Sequence, residues 1–215
     1  MVNLKKSLGV AISCLMIFIP VNLSFAGFSQ RLKDAGFSQR LKDKADAIAR
    51  NTERMKNETN YKINSNGNCP KLEREVIKLV NQERERINEE REENGEEPLK
   101  ILKVKNSLRK TARAKSKEMY KKNYFSHERP GGKKWYTIFD KIKNQLQRGE
   151  NLLKGPQQRM PTAQQIFDGF KKSPKHYANM IADFDYIGVG FYCEKKDGFY
   201  HWYVTQHFMN FRNRN

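Results

Sequence analysis

An α+β domain, with helices laid on a small antiparallel sheet, is what this 215-residue chain predicts. Apolar residues recur at helical spacing from about residue 70 to residue 173. Two alternating, aromatic-rich runs follow, over 185–194 and 199–209, and Lys196-Asp197-Gly198 between them is a hairpin signal. The length leaves room for one domain of about 150 residues plus extra segments.

The folded part is expected to begin at Cys69-Pro70, because proline suits the first turn of a helix. Val76, Ile77, Val80, Arg84 and Ile87 carry that helix to about Arg91, and Gly95 and Pro98 stop it. A second helix is predicted over 107–122, with Leu108, Ala112, Lys115, Met119 and Tyr120 along one side. The alkyl stem of Lys115 would lie at the edge of that stripe. Trp135, Ile138, Phe139, Ile142 and Leu146 mark a third helix. Thr162 and Gln165 have the spacing of a capping box and open a fourth, which runs through Ile166, Phe167 and Phe170 to the Ser173-Pro174 stop. A short strand is expected at Asn151-Leu152-Leu153.

In the first strand of the hairpin, Ile187, Val189, Phe191 and Cys193 share one parity, while Gly188 and Gly190 admit a close backbone approach. In the second, Trp202, Val204, Gln206 and Phe208 are expected to pack under helices. His201, Tyr203, Thr205 and His207 face the other way, with His207 placed at the sheet margin.

Upstream, residues 1–26 have the layout of a secretory signal peptide: Lys5 and Lys6, an apolar core from Leu8 to Val21, and small residues before Gly27. The chain is therefore expected to be secreted or periplasmic, with an N-terminal membrane anchor as the alternative. Residues 26–43 repeat Ala-Gly-Phe-Ser-Gln-Arg-Leu-Lys-Asp twice. A nine-residue period turns the Phe28/Leu32 and Phe37/Leu41 pairs to opposite sides of a helix, which argues against a membrane-lying amphipathic segment. Residues 27–68 read as a tandem-repeat stalk and linker, and 69–215 as the folded domain.

The net charge of +18 favours anionic partners: lipid, wall polymer or a host or envelope component. Export argues against nucleic acid. Once the signal is removed, Cys69 and Cys193 are the remaining cysteines, and two cysteines in an exported chain predict one disulfide.

Several motifs occur in a fixed order: Val80-Asn81-Gln82-Glu83-Arg84, Phe125-Ser126-His127, Gly149-Glu150-Asn151, Ser173 to His176, Ala178-Asn179-Met180-Ile181, Ile187-Gly188-Val189-Gly190 and Tyr203-Val204-Thr205-Gln206. In this order they resemble the bacterial branch of the CAP superfamily (cysteine-rich secretory protein, antigen 5 and pathogenesis-related; SCP-like extracellular domains). The resemblance implies a three-layer α-β-α sandwich and a cavity. Many members line that cavity with two histidines and two glutamates that can hold a divalent cation. Here His127 and Glu150 match the first of each. Ser173 stands where the second glutamate is usual, Tyr203 where the second histidine is usual, and His176 where bacterial members carry a histidine. The expected cavity set is thus His127, Glu150, Ser173, His176 and Tyr203. His127, His176 and Glu150 would form a three-ligand zinc site if a metal binds. Three functions follow: a binding module for a lipid, peptide or envelope fragment, a metal-assisted envelope hydrolase, and a basic adhesin or effector acting through surface charge.

Overall fold

The computed structural model describes residues 61–212 and, upstream, Lys42, Asp46 and residues 48–50, all helical. The signal segment, the repeat and the rest of the stalk lie outside the described residues. Among those described, no helix is long and apolar enough to cross a membrane. The chain divides into two units, 1–49 and 50–215, and the second carries the fold.

The elements are α1 (Pro70–Glu93), β1 (Lys103–Val104), α2 (Asn106–Lys121), a 3-10 turn (Trp135–Phe139), β2 (Gln145–Gln157), α3 (Ala163–Lys171), α4 (Pro174–Ile181), β3 (Tyr186–Lys196) and β4 (Phe199–Phe211). The sheet order is β1-β3-β4-β2. β3 and β4 form the expected hairpin, closed by Asp197 and Gly198, both at positive φ, between paired Lys196 and Phe199. β2 pairs antiparallel with β4. The sheet is mixed, however, because the two residues of β1 run parallel to β3, an element with no pattern of its own in the sequence.

Strand parity builds the three layers. Ile187, Val189, Phe191 and Cys193, with Trp202, Val204 and Phe208, form one core with Leu72, Val76 and Val80 of α1, Ile166, Phe167 and Phe170 of α3, and Met180 of α4. The opposite face takes α2 directly on Gly188 and Gly190. A Cβ built on Gly190 would lie 2.1 Å from the Arg113 backbone nitrogen, and one on Gly188 would lie 2.3 Å from that of Arg109. Leu108, Phe139 and Met209 form a second buried cluster on that side.

Buried polar groups lock the layers. Glu73, almost fully buried on α1, accepts from Arg113 Nε (2.8 Å) and from the Phe191 backbone N–H (3.1 Å). It thereby covers part of the free edge of β3. Arg84 shares the buried face of α1 with Val76, Ile77 and Val80. It is buried and donates to the carbonyls of Lys100, Met180 and Ala182. The Thr162–Gln165 capping box is present in both directions.

Four expectations are corrected. The third helix stops after five residues as a 3-10 turn. The Gln145 side-chain amide donates to the Phe139 and Ile142 carbonyls, Asn144 takes φ 60°, and Leu146 lies 64% exposed on β2. The short strand at 151–153 is part of thirteen-residue β2, an edge strand whose ends are largely exposed, whose middle buries Glu150 and Asn151, and where Pro156 is tolerated. Residues 61–68 are docked on the domain: Tyr61 is buried, and the Gly67 carbonyl accepts from the Cys193 N–H at 2.9 Å. Finally, no disulfide joins Cys69 and Cys193. Both are free, buried thiols, and the Cys193 sulfur lies 3.9 Å from Met160 Sδ. Burial pushes the Cys193 thiol up to about 12.

Candidate functional site

Glu150, on edge strand β2, is buried and is the hub of the site. Its Oε1 is 2.8 Å from His127 Nδ1 and its Oε2 is 2.9 Å from His207 Nε2. Strand register places Glu150 opposite His207, so a carboxylate and an imidazole meet on the α2 face of the sheet. His207 is fully buried. Its Nδ1 lies 2.9 Å from Thr111 Oγ1 on α2, and its ring packs edge-on against Phe139 at 4.6 Å. His207 therefore sits in the interior of the cluster, contrary to the expected place at the sheet margin. Its shared parity with Tyr203 and Thr205 was the signal that pointed there.

His127 is carried by the loop after α2, and a buried lysine holds that loop. Lys115 Nζ donates to the Ser126 carbonyl at 2.8 Å and the His127 carbonyl at 2.9 Å. Sequence reading missed this role by placing Lys115 at a stripe edge; the side chain is fully buried. Arg129 braces the same loop by bonding Glu118 at 2.9 Å. His127 itself stays 52% exposed.

Burial pushes the Glu150 carboxyl up, but the bonds from His127 and His207, with the charge of Lys115, hold it below its ordinary value. Burial pulls His207 down, and this outweighs the upward pull of Glu150. An ionised carboxylate thus faces a neutral buried imidazole. The carboxylate only accepts, so His207 Nε2–H and His127 Nδ1–H donate to it. His207 Nδ1 lies 2.9 Å from the Thr111 hydroxyl, which is itself 2.9 Å from the Leu108 carbonyl, and on His127 the Nε2 of a half-exposed ring has no hydrogen-bond partner among the described residues.

His176 does not join this hub. It approaches β2 from the other face, where its backbone carbonyl accepts from Asn151 Nδ2 at 2.9 Å, and its ring packs on Phe170 at 5.6 Å. Its Nδ1 is buried without a partner. Burial and then the nearby charge of His127 lower its pKa. Ser173 precedes α4 and its side chain makes no cap bond. Tyr203 pairs with Lys154, four residues along β2 from Glu150, or ~13 Å at about 3.3 Å per residue. It is tied back to the His127 loop by Phe125, whose ring centroid is 6.4 Å away.

The expected zinc set does not fit this arrangement. Both Glu150 oxygens and both His207 nitrogens are engaged within the protein, and His176 bonds to neither Glu150 oxygen. Among the described residues, no three His, Cys, Asp or Glu side chains are grouped to hold a metal.

Comparison with known proteins agrees with the motif order and the layers. The family model "CAP: Cysteine-rich secretory protein family" matches residues 78–208. The chain belongs to the CAP family. Its CAP domain is 30% identical over 154 residues to the uncharacterized protein YkwD of Bacillus subtilis (strain 168), a match covering 67% of this chain and 53% of that protein. Among solved structures, an outer surface protein of Borrelia burgdorferi shares the fold at TM-score 0.54 and 15% identity, covering 66% of this chain and 95% of that one. An extracellular SCP-domain protein of Bacillus anthracis str. Ames aligns at TM-score 0.49 and 25% identity, covering 65% of this chain and 40% of that one. The chain thus spans about half of the YkwD relative and two fifths of the Bacillus anthracis protein.

The CAP-domain histidines give stability a pH dependence with a definite sign. The folded pKa values of His207 and His176 lie below the ordinary histidine value, so the unfolded chain binds protons first as pH falls. Stability is therefore lost as pH drops below about 6.5, and depressed Glu150 adds loss in the same direction below about 4.3. Urea unfolding should show stability falling between pH 7 and pH 5, and His207→Gln should flatten that slope. Stability independent of pH over this range in the parent protein would contradict the buried neutral imidazole.

Proposed function

We propose that this CAP protein is an exported binding module that takes a lipid, peptide or envelope fragment beside His127. One observation carries the reading. A half-exposed imidazole is clamped by a buried carboxylate, and Phe125, 43% exposed, stands two residues away with Tyr203 and Lys154 around it. A polar group fixed in orientation next to partly exposed aromatic surface is the usual make-up of a ligand-recognition patch. Nothing in the arrangement favours hydrolysis over binding: among the described residues, no serine, threonine or cysteine hydrogen-bonds to His127. The surrounding positive charge would draw an anionic ligand or envelope surface towards the site.

Native mass spectrometry of the protein exported by its own cell tests the reading. The expected result is a chain beginning at Gly27 with a bound organic mass, and loss of that mass in His127→Ala. The substitution should cost only ~1–2 kcal/mol, because His127 is half-exposed and Glu150 keeps its His207 donor. Stoichiometric zinc in place of the organic mass would point to the hydrolase. Neither species, with retention on anionic surfaces, would point to the charge-driven adhesin.

A further inference from the structure

We propose a second site, for a phosphate-type anion, in the pocket between the start of α2 and the loop that leads into β2. The pocket holds about 450 Å³, within the range of small-ligand sites. Lys105, Lys141, Lys143 and Arg212 line it, together with Ser107 and Asn144, and no acidic side chain does. Several other lysines of this basic domain have acidic partners: Lys100 with Asp185, Lys121 with Glu194, Lys171 with Glu83. The four cations of the pocket have no such carboxylate among the described residues. Four like charges around one small volume repel one another, and a multiply charged anion relieves that repulsion where a neutral ligand would not.

The cations sit on a fixed frame. The Lys105 ammonium is held 5.0 Å from the ring centroids of both Tyr186 and Phe211. The segment bearing Lys141 and Lys143 is pinned by the Gln145 amide on the Phe139 and Ile142 carbonyls, and the Arg212 N–H donates to the Asn144 carbonyl at 2.8 Å. The first turn of α2 lies at the same pocket with no side-chain cap and no acidic residue, so its backbone N–H groups add donors to those of the side chains. An arginine fork, three ammonium groups, a hydroxyl and backbone N–H groups match the several oxygens of a phosphate better than the two of a carboxylate. The same chemistry is offered by a lipid headgroup and by a soluble phosphate polymer. The inference stands apart from the His127 reading, because no residue is shared between the two sites.

Calorimetric titration of the full chain with inorganic pyrophosphate, at constant ionic strength set with chloride, tests it. Lys141→Gln/Lys143→Gln should weaken binding at least ~tenfold, since each charge-assisted contact is worth more than the ~1.4 kcal/mol that a factor of ten represents. Lys172→Gln/Lys196→Gln removes the same charge from exposed positions outside the pocket and should leave affinity within about twofold. Equal loss in the two variants would reduce the effect to general surface charge and overturn the site. Absent binding by the parent chain, or undiminished binding by the pocket variant, would overturn it too. Co-sedimentation with phosphatidic acid vesicles and retention on soluble polyphosphate then separate the two sources. Dependence of either on Lys141 and Lys143 supports the site, and failure of both overturns it.

Discussion

Glu150→Ala is expected to lower the stability of the domain by ~3–5 kcal/mol, the range for removing one partner of a buried charged network. The carboxylate accepts from two imidazoles at 2.8 and 2.9 Å, and one of these, His207, has no solvent to turn to. Deletion strands the His207 Nε2–H in an apolar pocket beside Phe139 and leaves the Lys115 ammonium with Glu118 as its remaining nearby negative charge. It also frees the His127 ring, so any ligand held beside that ring should be lost with the stability. Glu150→Gln keeps the volume and one acceptor for His207, and should cost ~1–2 kcal/mol. Urea unfolding at pH 7 reads both values. A loss below ~1 kcal/mol for the alanine variant would mean that the carboxylate is not the hub.

Gly190→Ala should be at least as damaging as a typical overpacking substitution, ~3 kcal/mol or more. The added methyl would fall 2.1 Å from the Arg113 nitrogen and 2.2 Å from the Ala112 carbonyl carbon. Both are backbone atoms of a helix that is also held by the bonds of Arg113 to Glu73 and of the Ser116 hydroxyl to the Gly190 carbonyl. No rotamer change can make room, so α2 must lift off the sheet. Because α2 carries Thr111 and Lys115, the variant should also loosen the His127 loop. Faster amide exchange at residues 125–129 would show this alongside the lowered unfolding midpoint. Wild-type stability in Gly190→Ala would refute the close helix–sheet contact.

Much of this was legible in the residues themselves. Helical spacing marked α1, α2 and α3, and the Thr162–Gln165 box marked the start of α3, because these signals are local and repeat every turn. Alternation and the Asp197-Gly198 turn marked the hairpin for the same reason. The pairing of His127 with Glu150 was reachable through the order of the family motifs and not through spacing, since 23 residues separate them.

What only the tertiary structure decided concerns groups whose role depends on a partner far away in the chain. Apolar periodicity carried the third helix on to Leu146, but it ends in a 3-10 turn because the Gln145 amide claims the Phe139 and Ile142 carbonyls. β2 extends to thirteen residues because β4 offers it a ladder, and β1 exists only as a neighbour of β3. Lys115 was read at the edge of an apolar stripe and Arg84 within the spacing of another, yet both are buried cations that donate to backbone carbonyls supplied by other segments. His207, and not His176, completes the bonding of Glu150, because the β2–β4 register sets it opposite the carboxylate, while His176 comes to β2 on the other face of the sheet. Residue pattern alone thus determined α1, α2, α3, the hairpin and the family, since each follows from local periodicity or motif order, while α4 begins at the Ser173-Pro174 pair read as a stop. Strand register and layer packing alone decided which buried charges meet, since those contacts join residues brought together only when the sheet closes.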